Sequence, residues 1–152
     1  MNLLRRTAGR AMLLGLISAL TMVIAIILRD EIWNNRTIAL VIIWLLGGFF
    51  GTFGGVVALL LWRRLFGSRH LALVRGLIFL PAFIAAGAMV FYLQTGWQSG
   101  FELHPEHPLR SVLFGSVQTM AMFVYTVSHY MLPWMAPVMI AVGYALMPRP
   151  EA

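Results

Sequence analysis

Apolar residues in this chain run in long unbroken stretches instead of alternating with polar ones. Four stand out: residues 11–28, 37–62, 71–93 and a fourth within 112–147. Each reaches the roughly 18 residues that a membrane crossing needs, and none has the one-sided period of a soluble amphipathic helix. In lipid the backbone must satisfy its own hydrogen bonds. Helices do this locally, whereas the strands of a barrel would be about ten residues long and alternating. The pattern therefore predicts an all-α integral membrane protein, a four-transmembrane-helix bundle in which residues 1–152 form a single membrane domain. No internal repeat, low-complexity tract or linker divides it. The first stretch follows Arg5, Arg6 and Arg10, the order of a signal peptide. It is longer than a typical signal core, and no small-x-small cleavage site precedes Arg29, so an uncleaved first span is expected.

The fourth stretch is too long for a simple span. Its 36 residues would make a straight helix of roughly 54 Å against a hydrocarbon core of about 30 Å. His107-Pro108 suits a helix start. Pro133 has no N–H for the carbonyl of His129 and would clash with it. One long last helix is therefore expected, kinked at Pro133 and Pro137, with its first turns in or near the outer interface. The alternative is a hairpin of two short helices and five spans. It is disfavoured because only about 21 Å of helix remains beyond Pro133, and it would place Arg149 outside.

Composition agrees. Hydrophobic residues make up 61% of the chain and charged residues 11%, against roughly 25% charged in a soluble domain. All eleven basic residues are arginine, which codon bias in a GC-rich genome explains. The net charge of +6 suggests nucleic acid until the charges are placed: they lie between spans and report topology. Arg5, Arg6, Arg10, Arg63, Arg64, Arg69, Arg75 and Arg149 fall on one side. Arg29, Arg36 and Arg110, offset by Asp30, Glu31, Glu102 and Glu106, fall on the other. The positive-inside rule puts both termini in the cytoplasm of a bacterial inner membrane. Trp33, Trp62 and Trp97 fall at expected interfaces. The absence of cysteine excludes disulfides and thiolate chemistry.

Small residues mark faces for close packing. Gly47, Gly51 and Gly55 recur every fourth residue in the second stretch and form a groove; Ala11, Gly15 and Ala19 form a ridge in the first, and Ala82 and Ala86 a shorter one in the third. Such a groove serves packing within the bundle or docks a partner. In the fourth stretch Ser111, Gln118, Tyr125 and His129 share a sector about 40° wide. Thr119, Thr126 and Tyr130 form a second row beside them, while Phe114, Val117, Ala121, Val124 and Leu132 occupy the opposite face. Polar side chains in a span usually face the bundle interior, a partner or a wet cavity.

His129 is the only histidine in an apolar stretch. It reads first as a structural hydrogen-bond partner, next as lining for a proton, ion or quinone site, and last as an axial ligand to haem or a chlorin. A bis-histidine haem would need a second chain, and a proton relay would need a carboxylate that no span contains. Glu102, His104, Glu106 and His107 cluster between the third and fourth stretches as weak zinc or copper ligands. Their spacing fits no zinc motif, and a solvated loop explains them, so no metal is expected. No nucleophile–base–acid set exists, so catalysis is not expected.

The functional expectation is a small non-catalytic accessory or scaffold subunit of a larger inner-membrane complex, docking through the glycine groove and the polar row. The lipid bilayer and other membrane subunits are its partners, with a homo-oligomer as a further option and no nucleic acid. The rivals are a homo-oligomeric transporter or channel, and an electron-transfer subunit carrying haem, pigment or quinone at His129.

Overall fold

The computed structural model describes residues 2–68, 70–99, 108–131 and 134–148, with side chains for all of these except 2–4, 97–99, 108, 130 and 131. They form five helices: α1 (Asn2–Leu28), α2 (Asn35–Phe66), α3 (Leu71–Ser99), α4 (Pro108–Met131) and α5 (Met135–Leu146). No strand occurs among the described residues. α1 to α4 are each long and apolar enough to cross a membrane, and α5 is shorter. α1, α2 and α4 begin earlier than the apolar stretches alone suggest. α1 takes in Arg5, Arg6 and Arg10, because long basic side chains are good helix formers.

Local chemistry sets the turns. α1 ends in a Schellman motif: the N–H of Glu31 bonds the carbonyl of Ile26 at 3.2 Å and that of Asp30 bonds Ile27 at 3.1 Å. Asp30 takes the left-handed position at φ 56°, which its short polar side chain tolerates. α2 opens on a capping box: Asn34 Oδ1 accepts from the N–H groups of Arg36 and Thr37 at 2.9 and 3.0 Å, and Thr37 Oγ1 accepts from the Asn34 N–H at 2.9 Å. Gly67 ends α2 at φ 77°, its N–H bonded to the Arg63 carbonyl at 3.0 Å. Few other residues adopt that backbone without strain.

These short turns fold α1, α2 and α3 antiparallel, with α2 shared between its neighbours. A Cβ at Gly48 would stand 2.8 Å from the carbonyl oxygen of Leu14 and 2.9 Å from the Cα of Gly15. A Cβ at Gly51 would stand 2.7 Å from the Cα of Phe83. Gly47 faces Phe83 and Gly87, and Gly55 faces Met147 and Ala82. The glycine groove is thus filled from within the chain, by α3 and the end of α5. The α1 ridge likewise meets α2: Ala11, Gly15 and Ala19 are buried, and Gly15 abuts Leu45 and Phe49. Both faces thus serve packing within the bundle. Buried hydroxyls are satisfied locally, Ser18 to the Leu14 carbonyl and Thr52 to the Gly48 carbonyl, both at 2.7 Å.

Within 112–147 the described residues lie in two helices, α4 and α5, and a kink joining them into one is not shown. Leu132 and Pro133 lie outside the described residues. Pro137 is the third residue of α5, in the first turn, where a missing N–H has no intrahelical acceptor to leave unpaired. It starts a helix and does not bend one. Nor do the two helices form a hairpin: α5 packs chiefly on α3. α4 meets α3 at Tyr92, Phe91 and Gly87, whereas α5 meets it at Phe79, Gly76 and Arg75. The two helices cover opposite halves of α3. Phe123 anchors α4, seated against Gly87 with its ring 5.9 Å from Trp44 and 6.0 Å from Phe91. Trp44, Phe79, Phe83, Phe123, Met135 and Met139 form the heart of one core.

Gly51 and Gly54 provide a direct test of this packing. Gly51→Ala forces α2 from α3 and is expected to cost about 1–3 kcal/mol. A Cβ at Gly54 meets nothing within 4 Å, so Gly54→Ala should be neutral or stabilising by up to about 1 kcal/mol. Unfolding in detergent, followed by circular dichroism, measures both; equal effects would contradict the close contact.

Candidate functional site

α4 is the least packed of the long helices. Half of the span-length stretch of α1 and of α2 is buried, 28% in α3 and only 11% in α4. Its buried positions are Phe123 and Val127, one turn apart on one stripe. The polar row lies on nearly the opposite side. Gln118, Tyr125 and His129 are exposed and Ser111 is half-buried. The row therefore points away from the bundle interior, because the large apolar Phe123 takes the core position that four modest polar groups would fill poorly. The second row flanks the packed side: Thr119 and Thr126 are half-buried, and Thr126 donates to the Met122 carbonyl at 2.9 Å. The side chain of Tyr130 is outside the described set. Phe114, Val117, Ala121 and Val124 are exposed; they flank the polar row instead of opposing it, since Phe114, Val117 and Ala121 share a groove with Gln118 and the side opposite the row is taken by Phe123 and Val127.

Two arginines from the bundle hold the α4–α5 arm, and each bonds a carbonyl in the last turn of a helix. Arg29, just past the end of α1, donates through Nη2 to the carbonyl of His129 at 2.6 Å. Proline at 133 has no N–H for that carbonyl, and a guanidinium supplies the donor instead. Arg75, only 5% exposed, donates through Nη2 to the carbonyl of Tyr144 and lies 5.1 Å from the centre of the Tyr144 ring. A cation at a helix C-terminus also opposes the negative end of its dipole, and the ring face adds a cation–π contact. Charge placement alone reads both arginines as topology markers. Pro133 shows in the sequence that the carbonyl at 129 has no helical N–H donor; the donor it takes, a hundred residues away, is not legible there.

The end of α4 and the α1–α2 connection enclose a cleft of about 410 Å³. Glu31, Asn34, Arg36 and Thr37 form one wall, and Tyr125, Thr126 and His129 the other. The structure thus brings Tyr125 and His129 of the row together with Glu31 and Arg36, whose placement in the sequence marks only topology. It separates them from Ser111 and Gln118, which do not line the cleft. Gln118 lies instead on a shallow apolar groove with Leu113, Phe114, Val117 and Ala121. A further apolar groove of about 680 Å³ runs between α2 and α3, past Gly54, Ala58, Ala82 and Ala86. Glu102, His104, Glu106 and His107 lie outside the described residues, among which no cluster of three metal-ligating side chains occurs. The haem or chlorin expectation at His129 gains no support from the polar walls of its cleft, since such a macrocycle suits an apolar slot. Comparison with protein-family models, curated protein sequences and solved structures finds no match for this chain.

The two arginine contacts predict separate effects. In Arg29→Met, amide exchange at residues 125–131 should quicken by the equivalent of about 1 kcal/mol of lost protection. In Arg75→Met, the affected amides should be those of residues 140–146, by about 1–3 kcal/mol, because this carbonyl is more enclosed. Exchange followed by mass spectrometry resolves the two. A uniform loss across α1–α3 in either variant would refute a local capping role.

Proposed function

We propose that this protein is a small, non-catalytic accessory or scaffold subunit of a larger assembly in a bacterial inner membrane, and that it docks through the outward face of α4. One observation carries this reading: Gln118 is exposed on α4 among Leu113, Phe114, Val117 and Ala121. A carboxamide facing lipid without a partner costs about 2–7 kcal/mol relative to water. A neighbouring subunit that offers a hydrogen bond removes most of that cost, and the apolar residues around Gln118 supply the packing surface. Interhelical hydrogen bonds in membranes add only about 0.6 kcal/mol on average, so Gln118 fixes orientation while the apolar groove supplies contact. The small size of the chain and its mainly apolar grooves support a supporting role over a chemical one.

Both termini lie in the cytoplasm in this reading. The N-terminal end of α1, the C-terminal end of α2 and the start of α3 share one end of the bundle and carry Arg5, Arg6, Arg10, Arg63, Arg64 and Arg75. The opposite end holds Arg29 and Arg36 beside Asp30 and Glu31. In a membrane that arrangement turns the arginine-rich end inward; α4 ends beside Arg29 at the opposite end, and α5 brings the chain back to Arg75.

Purification in mild detergent should yield the chain in a complex larger than itself. Gln118→Leu should release the partner, and Gln118→Asn, which keeps the amide, should retain it in part. Loss of nothing in Gln118→Leu, or a complex containing only this chain, would reject the accessory reading. Orientation is testable on a background free of native cysteine. Ser68→Cys should resist an impermeant thiol reagent applied to intact spheroplasts, and Asn35→Cys should react.

A further inference from the structure

The arginine-rich end of the bundle is staggered. Leu14 and Gly15 of α1 lie against Gly48 of α2, and the two helices run antiparallel. Arg10 therefore stands level with about residue 52 of α2, and Arg6 with about residue 56. Arg63 and Arg64 lie further along α2, roughly 15 Å beyond the level of Arg10. Trp62 beside them favours the headgroup level of a bilayer. Arg10 is inset from that level by more than an arginine side chain can recover by snorkelling. Arg75, on α3, is buried and bonds the Tyr144 carbonyl within the chain. Arg5, Arg6 and Arg10 are exposed instead. Among the described residues no carboxylate stands at this end, because Asp30 and Glu31 lie at the other.

The exposed side of α1 has a shape to match this charge. A Cβ at Gly9 would meet nothing within 4 Å. Arg5 and Arg6 flank Gly9 from the preceding turn, and Arg10 follows it directly. Three cationic side chains thus border a notch that has no side chain of its own. The packed side of the helix is taken by Thr7, Ala11, Leu14 and Ser18. On the exposed side Leu13, Leu16 and Leu20 continue the line of Gly9 toward the bilayer centre, within a sector about 60° wide. A cationic notch that leads into an apolar strip fits a ligand with an anionic head and a hydrocarbon tail. We infer that α1 binds an anionic phospholipid, with its phosphodiester over Gly9 among Arg5, Arg6 and Arg10 and an acyl chain along Leu13, Leu16 and Leu20. The planar fork of arginine suits phosphate oxygens. A phosphate drawn in to this depth supplies the anion that the chain lacks here, and a headgroup bearing its own ammonium group would set a like charge beside the arginines. The site rests on the membrane reading given above but involves neither α4 nor Gln118, so lipid capture and partner docking are tested apart.

The test uses the full chain, delipidated in a non-ionic detergent and followed by native mass spectrometry with added phosphatidylglycerol or phosphatidylethanolamine of the same acyl chains. Phosphatidylglycerol should be retained roughly tenfold better. Arg6→Gln and Arg10→Gln should each lower its retention roughly fivefold, the effect of one arginine on an anionic lipid. Arg64→Gln, at the end of α2 and outside the notch, should leave retention unchanged. Gly9→Leu keeps every charge but fills the notch, and it should lower retention as much as Arg6→Gln does. The open space at Gly9 allows that variant to fold, and far-UV circular dichroism checks each variant. Soluble glycerol phosphate should not compete, because it lacks the tail that the leucines hold. Equal retention of the two lipids by the natural chain would overturn the inference and leave an acidic protein partner as the counterpart of these arginines. Equal losses in Arg64→Gln and Arg6→Gln would overturn it in favour of diffuse attraction. Unchanged retention in folded Gly9→Leu, or displacement by glycerol phosphate at a similar concentration, would overturn the proposed seating.

Discussion

At Gly48 and Gly51 the backbone of α2 comes so close to its neighbours that neither position has room for a Cβ. One contact is with α1 and the other with α3, so a single stretch of α2 fixes the position of both. In water, apolar burial would drive such association by itself. Among lipid tails it does not, and close backbone approach with dense packing takes its place. The aromatic core follows from this geometry. Phe83 can cross the face of Gly51 and Gly47 only because both lack side chains, and Trp44 then meets Phe83 edge-on at 5.6 Å and 72°. Phe123 completes the cluster from α4, and Gly143 on α5 lets Phe79 approach its backbone.

The arm built from α4 and α5 is held by a different logic. Few of its residues are buried, and its attachment relies on point contacts: the Phe123 ring against Gly87 and two arginines on carbonyls that have lost or lack a helical partner. The middle of the arm at His129 and its far end at Tyr144 therefore depend on charged donors from the bundle. A guanidinium suits this task because it stays protonated and offers several N–H groups in a rigid plane. The consequence is a division within one small chain. α1–α3 form a tightly packed unit, while α4 presents most of its circumference outward.

The helical class and the positions of the first three helices were legible because they rest on length and hydrophobicity, which need no knowledge of neighbours. The glycine face was legible too, as spacing, but its occupant was not. A run of Gly47, Gly51 and Gly55 looks the same whether α3 or another protein fills it, and only the antiparallel return of α3 decides. The direction in which the polar row faces was not legible for a related reason. A helical wheel gives which residues share a side, but the packed side is chosen by the best match among all neighbours. Phe123 and Val127, complementary to the Gly87 notch and the Trp44 ring, outcompeted Gln118 and Tyr125. The passage from α4 to α5 was half legible: Pro133 denies the His129 carbonyl a helical N–H donor, whereas Pro137, in the first turn of α5, costs little there.

The outward polar row and the charged cleft follow from one geometric fact, the short depth over which α4 engages α3. Its last packed turns reach back to Arg29, so Tyr125 and His129 stand beside the α1–α2 connection, where polar groups are readily solvated. Gln118 stands further along, among apolar neighbours, where solvation is not available from within the chain. The same row thus divides into a part that its own protein can satisfy and a part that it cannot. The first part creates a small site with fixed charges. The second leaves the Gln118 carboxamide exposed in a groove whose lining is otherwise apolar, Leu113, Phe114, Val117 and Ala121.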